Sequence, residues 1–269
     1  MPVSHNSHCP DVDIPDTALT PFVFAKATER GDHVAFIDST NGQTTSYATL
    51  FQRVKQLAGG MLEQGLAKGE VIGIMAPNCP EYAVVFHGVA FAGGVVTTIN
   101  PTYTEREVHH QLNDAGASKL ITIPMFVETA VAASANTGVK EIIVIGGADG
   151  YRSLDDLMGE PLAEQMPVDV DDVVVLPYSS GTTGLSKGVM LTHHNLVANL
   201  VQTGALIEIT EDESFVAVLP FFHIYGMQVL MNLGLYLGAT IVTMPRFDLV
   251  QFLSLQQGTG LPRQFLAPP

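Results

Sequence analysis

Between Tyr178 and Gly188 the chain reads YSSGTTGLSKG, crowding hydroxyls, glycines and a lysine into one short run. Glycine lets the backbone turn close to a ligand, N–H and O–H groups donate to phosphate oxygens, and lysine adds positive charge. That composition suits the phosphate tail of a nucleotide, with Ser179, Ser180, Gly181, Thr182, Thr183, Gly184 and Lys187 as candidate contacts. An ordinary turn between two strands draws on the same residue types, so composition alone leaves both readings open. The run is not the common P-loop, whose lysine sits between Gly and Ser or Thr; Lys187 follows Ser186 and precedes Gly188. A kinase-like or GTPase-like assignment is thereby excluded.

A second cluster is Leu219-Pro220-Phe221-Phe222-His223-Ile224-Tyr225-Gly226. The His223 imidazole could donate to a phosphate or carboxylate oxygen, and its aromatic neighbours could line an apolar pocket. Taken alone, His223 is equally readable as a satisfied core histidine. The pairs His109-His110 and His193-His194 are adjacent residues that do not share a helical face, so they make no two-histidine metal clamp and read as surface or capping residues. His5, His8 and Cys9 lack the further ligands that a closed zinc site needs. No metal site is expected, and no Gly-x-Ser-x-Gly nucleophile elbow is present.

The elements that must position these residues follow from spacing. Thr20-Pro21 is a plausible helix start and Gly31 a stop. His33 to Asp38 and Gln43 to Ser46 flank Asn41-Gly42, a pair suited to a tight hairpin. From Tyr47 to Gln64 the apolar positions Leu50, Val54, Leu57, Ala58, Met61 and Leu62 recur at helical steps, and Gly65 should end that helix. Strand-like runs at Val71–Ala76, Val95–Ile99, Lys119–Ile123 and Glu141–Ile145 alternate with a Pro80-initiated helix and a helix from Thr104, whose spacing to Glu107 is that of a capping box. Strands at Val173–Leu176 and Val189–Leu191 bracket the phosphate-type run. Strands separated by helix-length segments predict an α/β fold, mostly parallel sheets flanked by helices.

Composition narrows the function classes. Apolar residues form 46% and charged residues 14% of the 269, which opposes disorder. A net charge of −15 without a basic run excludes non-specific nucleic-acid binding, and it repels anionic ligands at long range. Any phosphate grip must therefore come from local donors. Cys9 and Cys79 fit no disulfide framework, which predicts a reduced, cytoplasmic protein. Phe215 to Pro245 lacks Asp, Glu, Lys and Arg, but Pro220, His223, Gln228 and Asn232 interrupt it. It reads as strand, loop, helix and strand, with no integral membrane segment.

SSGTTGLSKG followed by VMLTH resembles the phosphate-binding signature of the adenylate-forming superfamily, which includes acyl-CoA synthetases, aryl-CoA ligases, luciferases and peptide-synthetase adenylation domains. Ser186 stands where many relatives have proline. The FHIYG-like stretch at His223, GEVIGIMAPNCPEY at 69–82 and AGGVVTTINPTYTEREV at 92–108 extend the likeness, which leans towards the coumarate and fatty-acid ligase branch. It implies the incomplete N-terminal large domain of such an enzyme: a tail at 1–14, a first α/β subdomain at 15–175, and at 176–269 the phosphate loop with the truncated start of a second. The C-terminal lid, the adenine-binding stretch and the ribose-binding acid would lie beyond.

The resemblance also implies an activity: ATP-dependent conversion of a carboxylic acid to an acyl-adenylate and then an acyl-CoA thioester, using Mg²⁺ and CoA. Lys187 and His223 would be catalytic, Ser179–Gly184 and Lys187 would hold ATP, and His223, Tyr225, Gly226 and Val229 would hold the acid. Arg246 would meet the CoA phosphates. Simple core packing for Val229 and a solvated surface for Arg246 stay open. Other readings are a luciferase-like or peptide-synthetase-like domain, or a non-catalytic nucleotide- or acyl-binding remnant. Little ligase activity is expected from this stretch alone, and association through a surface left exposed by the truncation is open to it.

Overall fold

A computed structural model describes residues 11–179, 186–207, 209–259 and 264–266. Twelve short strands are described: β1 (Val34–Asp38), β2 (Thr44–Ser46), β3 (Val71–Met75), β4 (Val95–Thr98), β5 (Ala117–Thr122), β6 (Glu141–Val144), β7 (Arg152–Ser153), β8 (Val173–Ser179), β9 (Lys187–Gly188), β10 (Leu191–Thr192), β11 (Ser214–Ala217) and β12 (Thr240–Thr243). The larger sheet runs β10-β8-β4-β3-β5-β6-β7, with β9 on the end of β8. Its pairings are parallel except those of β8 with β9 and β10. β3 is almost continuously apolar, as a parallel strand beneath helices tends to be, and β4 is fully buried with its two threonines hydrogen-bonded.

The smaller sheet runs β11-β12-β1-β2. β1 pairs antiparallel with its sequence neighbour β2 and parallel with the distant β12, Phe36 lying opposite Ile241. The Pro80–Phe91 helix is buried all round, the pattern of a helix inside the core rather than at its surface. The Glu105–Ala115 helix sinks Val108 and Leu112 into a second apolar cluster with Met75, Ile99 and Leu120. Its start is the expected capping box, with Thr104 and Glu107 bonded reciprocally, and Gly116 ends it in the left-handed region. No described helix is long and apolar enough to cross a membrane.

Local expectations gave way in three places. The first hairpin forms, but Asp38 organises its turn by accepting from Thr40 and Gly42, and only Gly42 takes positive φ. Thr20 caps nothing: the helix Leu19–Val23 starts two residues before Pro21, with Ala18 at its cap position, and the Thr20 hydroxyl is buried 3.1 Å from His87 Nδ1. Of the surface and capping roles open to His193 it takes the capping one: its buried Nδ1 accepts the Leu19 N–H at 3.1 Å, closing a helix terminus otherwise left open. Residues 189–191 are not one strand, because Val189 and Met190 separate β9 from β10.

The buried histidines make stability pH-dependent. Burial pulls His87 down to about 3 and His193 to about 4, whereas an unfolded histidine titrates near ~6.5. The unfolded chain therefore binds protons first as pH falls, and stability held above pH ~6.5 is lost on the way down, by at most about 1.4 kcal/mol per unit for each residue. Urea midpoints should drop between pH 7 and pH 5, before carboxylates titrate. His87→Gln with His193→Gln should flatten that slope, and an equally steep double variant would refute the assignment.

Candidate functional site

Parallel sheets present their loops, and hence their ligand crevices, at the carboxyl ends of the strands. Here the ends of β4 at Thr98 and β8 at Ser179, neighbours in the larger sheet, line one cleft, and the end of β11 at Ala217 is tied to them through the segment after β3. Asn78, buried just past β3, locks the junction. Its Nδ2 donates to the Ala217 and Leu219 carbonyls at 2.9 Å each, and its Oδ1 accepts the Phe221 N–H at 2.7 Å. Thr98 Oγ1 donates to the Phe222 carbonyl at 2.9 Å. These bonds deliver residues 219–224 to the edge of β4 and β8.

Between them lies a cleft of about 360 Å³ whose lining includes Asn100, Tyr103, Tyr178, Ser179, His223 and Ile224. His223 is exposed at this cleft, so it is no satisfied core residue. Its Nδ1 accepts the Tyr225 N–H at 3.3 Å, which leaves Nε2 to carry the proton of the neutral ring and to act as donor. Gly226 follows, buried, and a Cβ there would overlap the Pro220 carbonyl, so only glycine lets the chain turn at this point.

Gly226 opens a π-helix, Gly226–Leu233, wider than an α-helix and of a kind found at functional sites. It turns Gln228 inward to donate to the Leu196 carbonyl at 2.7 Å. Tyr225 and Val229 line a second hollow of about 340 Å³ that shares Leu191 and Ile224 with the first. Val229 also packs against the main core.

On the opposite rim β8 and β9 form a short antiparallel ladder, Ser179 opposite Lys187 and Tyr178 opposite Gly188. Lys187 is exposed there. Ser180, Gly181, Thr182, Thr183 and Gly184 lie outside the described residues. Tyr178 Oη donates to Asp114 at 2.6 Å, and burial, then that bond, raises the phenol above its ordinary value. Arg246 stands apart: it is exposed beyond β12, lines neither hollow and has no ion pair among the described residues.

The described residues hold no group of three His, Cys, Asp or Glu side chains arranged for a metal; His5, His8 and Cys9 fall outside them. Asn78, Asn100 and Tyr103 escaped the sequence reading as site residues. The signal was available, because each follows the carboxyl end of a predicted parallel strand, where ligands bind.

Residues 23–258 match the family described as AMP-binding enzyme. The chain is 36% identical over 273 aligned positions to 4-coumarate–CoA ligase 3 of Oryza sativa subsp. japonica, covering 99% of this chain and 49% of that protein. It is 30% identical to a probable 4-coumarate–CoA ligase 1 of Dictyostelium discoideum, covering 98% and 52%. The chain thus spans about half the length of the curated relatives it matches. A solved long-chain-fatty-acid–CoA ligase from Archaeoglobus fulgidus superposes with a TM-score of 0.85 at 27% identity, covering 94% of this chain and 52% of that one. A red-emitting luciferase from Phrixothrix hirtus, at 21% identity and TM-score 0.88, shares the fold alone.

Proposed function

The chain belongs to the AMP-binding enzyme family, and from that premise we propose that it serves ATP-dependent activation of a carboxylic acid, giving an acyl-adenylate and then an acyl-CoA thioester. The observation that carries this reading is the shared cleft: a histidine whose donor nitrogen has no hydrogen-bond partner among the described residues stands on one rim, and Ser179, paired with Lys187, on the other.

A carboxylate oxygen attacks the α-phosphorus of ATP, the bond to the bridging oxygen breaks, and pyrophosphate leaves; the CoA thiol then displaces AMP. Both reactants of the first step are anionic, so charge must be neutralised where it develops. Lys187, with Ser179, Ser180, Gly181, Thr182, Thr183 and Gly184, would hold the phosphate tail. His223 Nε2–H would donate to the carboxylate or α-phosphate oxygen. Mg²⁺ would arrive on the nucleotide, since it is commonly held by substrate phosphates and water with few protein ligands.

Tyr225, Gly226 and Val229 would shape the acyl end, and the relatives' names favour an aromatic or fatty acid. Solvent-facing Arg246 would meet the CoA phosphates. Cys79, a partly buried free thiol that desolvation raises to about 12, is inert in the way a reduced cytoplasmic setting allows.

ATP–pyrophosphate exchange across a panel of aromatic and aliphatic acids tests the proposal, with and without the C-terminal half of a curated relative. Acid-dependent exchange in either setting supports it; no MgATP binding and no exchange in both refutes it. His223→Ala should lower the exchange rate about 100-fold while leaving the unfolding midpoint unchanged, because an exposed donor serves chemistry and not packing. Unaltered exchange in that variant would remove His223 from the site.

A further inference from the structure

The β8–β9 ladder is too short to stand alone: β9 is Lys187–Gly188, both exposed, and isolated two-stranded pairings are marginal in water. Something else must hold Lys187 in place. The Glu105–Ala115 helix is built for that. Its ends are capped and its inner face is buried. Gln111, fully buried, donates to Thr97 Oγ1 at 2.9 Å and to the Thr98 carbonyl at 3.0 Å, and Thr97 Oγ1 donates to the Leu176 carbonyl at 3.0 Å. The helix is therefore bolted to both β4 and β8.

His110 and Asp114 are four residues apart, so they share a helical face, and that face meets the ladder. Asp114 Oδ2 accepts the Tyr178 phenol at 2.6 Å, a charge-assisted bond on the incoming strand. His110 Nε2 lies 3.2 Å from the carbonyl of Ser186, the residue just before the outgoing strand. Between them the Tyr178 ring packs on Gly188, where a Cβ would come within 3.1 Å of ring atoms. The Val189 N–H closes the ladder on the Pro177 carbonyl at 2.9 Å.

We infer that Asp114 and His110 are positioning residues for Lys187, gripping both strands of the ladder so that its ammonium leaves the sheet at one fixed place beside Ser179. The geometry stands by itself; only the purpose, presenting a cation to a nucleotide's phosphates, rests on the proposed function. Tyr178 transmits the grip twice, because it forms part of the ladder and part of the cleft wall.

Two arms separate the claims. In nucleotide-free protein, amide hydrogen exchange at residues 187–189 should speed up on the order of tenfold in Asp114→Ala and in Tyr178→Phe. The double variant should be no faster than either single, since both remove one bond. Asp114→Asn and Tyr178→Phe are near-isosteric and guard against misfolding, and Asp114→Asn should recover part of the protection. In the second arm MgATP affinity should fall by a similar factor in the same variants, and Lys187→Ala should lose affinity without altering exchange at Val189.

Wild-type exchange at 187–189 in Asp114→Ala and Tyr178→Phe, or additive effects in the double variant, overturns the inference. Failure of wild-type protein to bind MgATP while the exchange result holds sinks the functional reading and leaves the positioning claim intact.

Discussion

Asn78→Ala should destabilise the protein by about 2 to 4 kcal/mol, and it should do so at the seam between the sheets. The side chain satisfies three backbone groups at once, the Ala217 and Leu219 carbonyls and the Phe221 N–H. Alanine leaves all three without their partner in a region where Asn78 is 3% exposed, and each buried orphan costs roughly 1 to 3 kcal/mol before relaxation. Asn78→Asp should be at least as harmful, because it keeps an acceptor for Phe221 but turns negative oxygen towards two carbonyls. Urea unfolding at constant m-value measures this. A midpoint shift under 0.5 kcal/mol equivalent would show that the clamp is redundant. Because the same segment carries His223, exchange activity should fall together with stability.

Lys187→Ala should weaken MgATP binding by one to two orders of magnitude, the usual worth of a charged donor on a phosphate. A surface carrying a net charge of −15 gives the nucleotide no long-range help, so few cations can compensate. Titration with AMP makes the test specific. AMP lacks the β- and γ-phosphates, so its affinity should change little in the variant. Lys187→Arg should restore only part of the loss, since a planar fork on a longer stem does not superpose on an ammonium. Equal losses for AMP and ATP would place Lys187 elsewhere on the nucleotide, and no loss for either would remove it from the site.

What could be read directly from residues was local. Thr104 and Glu107 form their capping box because the bond closes within one helical turn, and the apolar spacing from Leu50 to Met61 marks the buried face of the Tyr47–Glu63 helix. Parallel strands announced themselves by continuous apolar runs. Other features depend on distant partners: His193 finds its partner at Leu19, Thr20 at His87 and Asn78 at Phe221, contacts between residues far apart in the chain, and no window of sequence contains both ends.

The candidate site divides the same way. Ser179, Lys187 and His223 could be picked out by type, but that Ser179 and His223 share one cleft depends on Thr98 and Asn78 joining two sheets. The widened turn of Gly226–Leu233 was not legible in the apolar spacing, and the one local constraint at its start is Gly226, where a Cβ would meet the Pro220 carbonyl.

The pairing of β1 with β12 has a consequence for synthesis. About 200 residues separate Phe36 from Ile241, so on a ribosome adding ~5–20 residues per second the inner strand of the smaller sheet waits roughly 10 to 40 seconds for its parallel neighbour. Until then β1 has only β2 beside it, a hairpin too small to persist unaided. The nascent chain must carry that sticky edge throughout that interval, a window in which a chaperone or an early contact with the Tyr47–Glu63 helix decides between folding and aggregation.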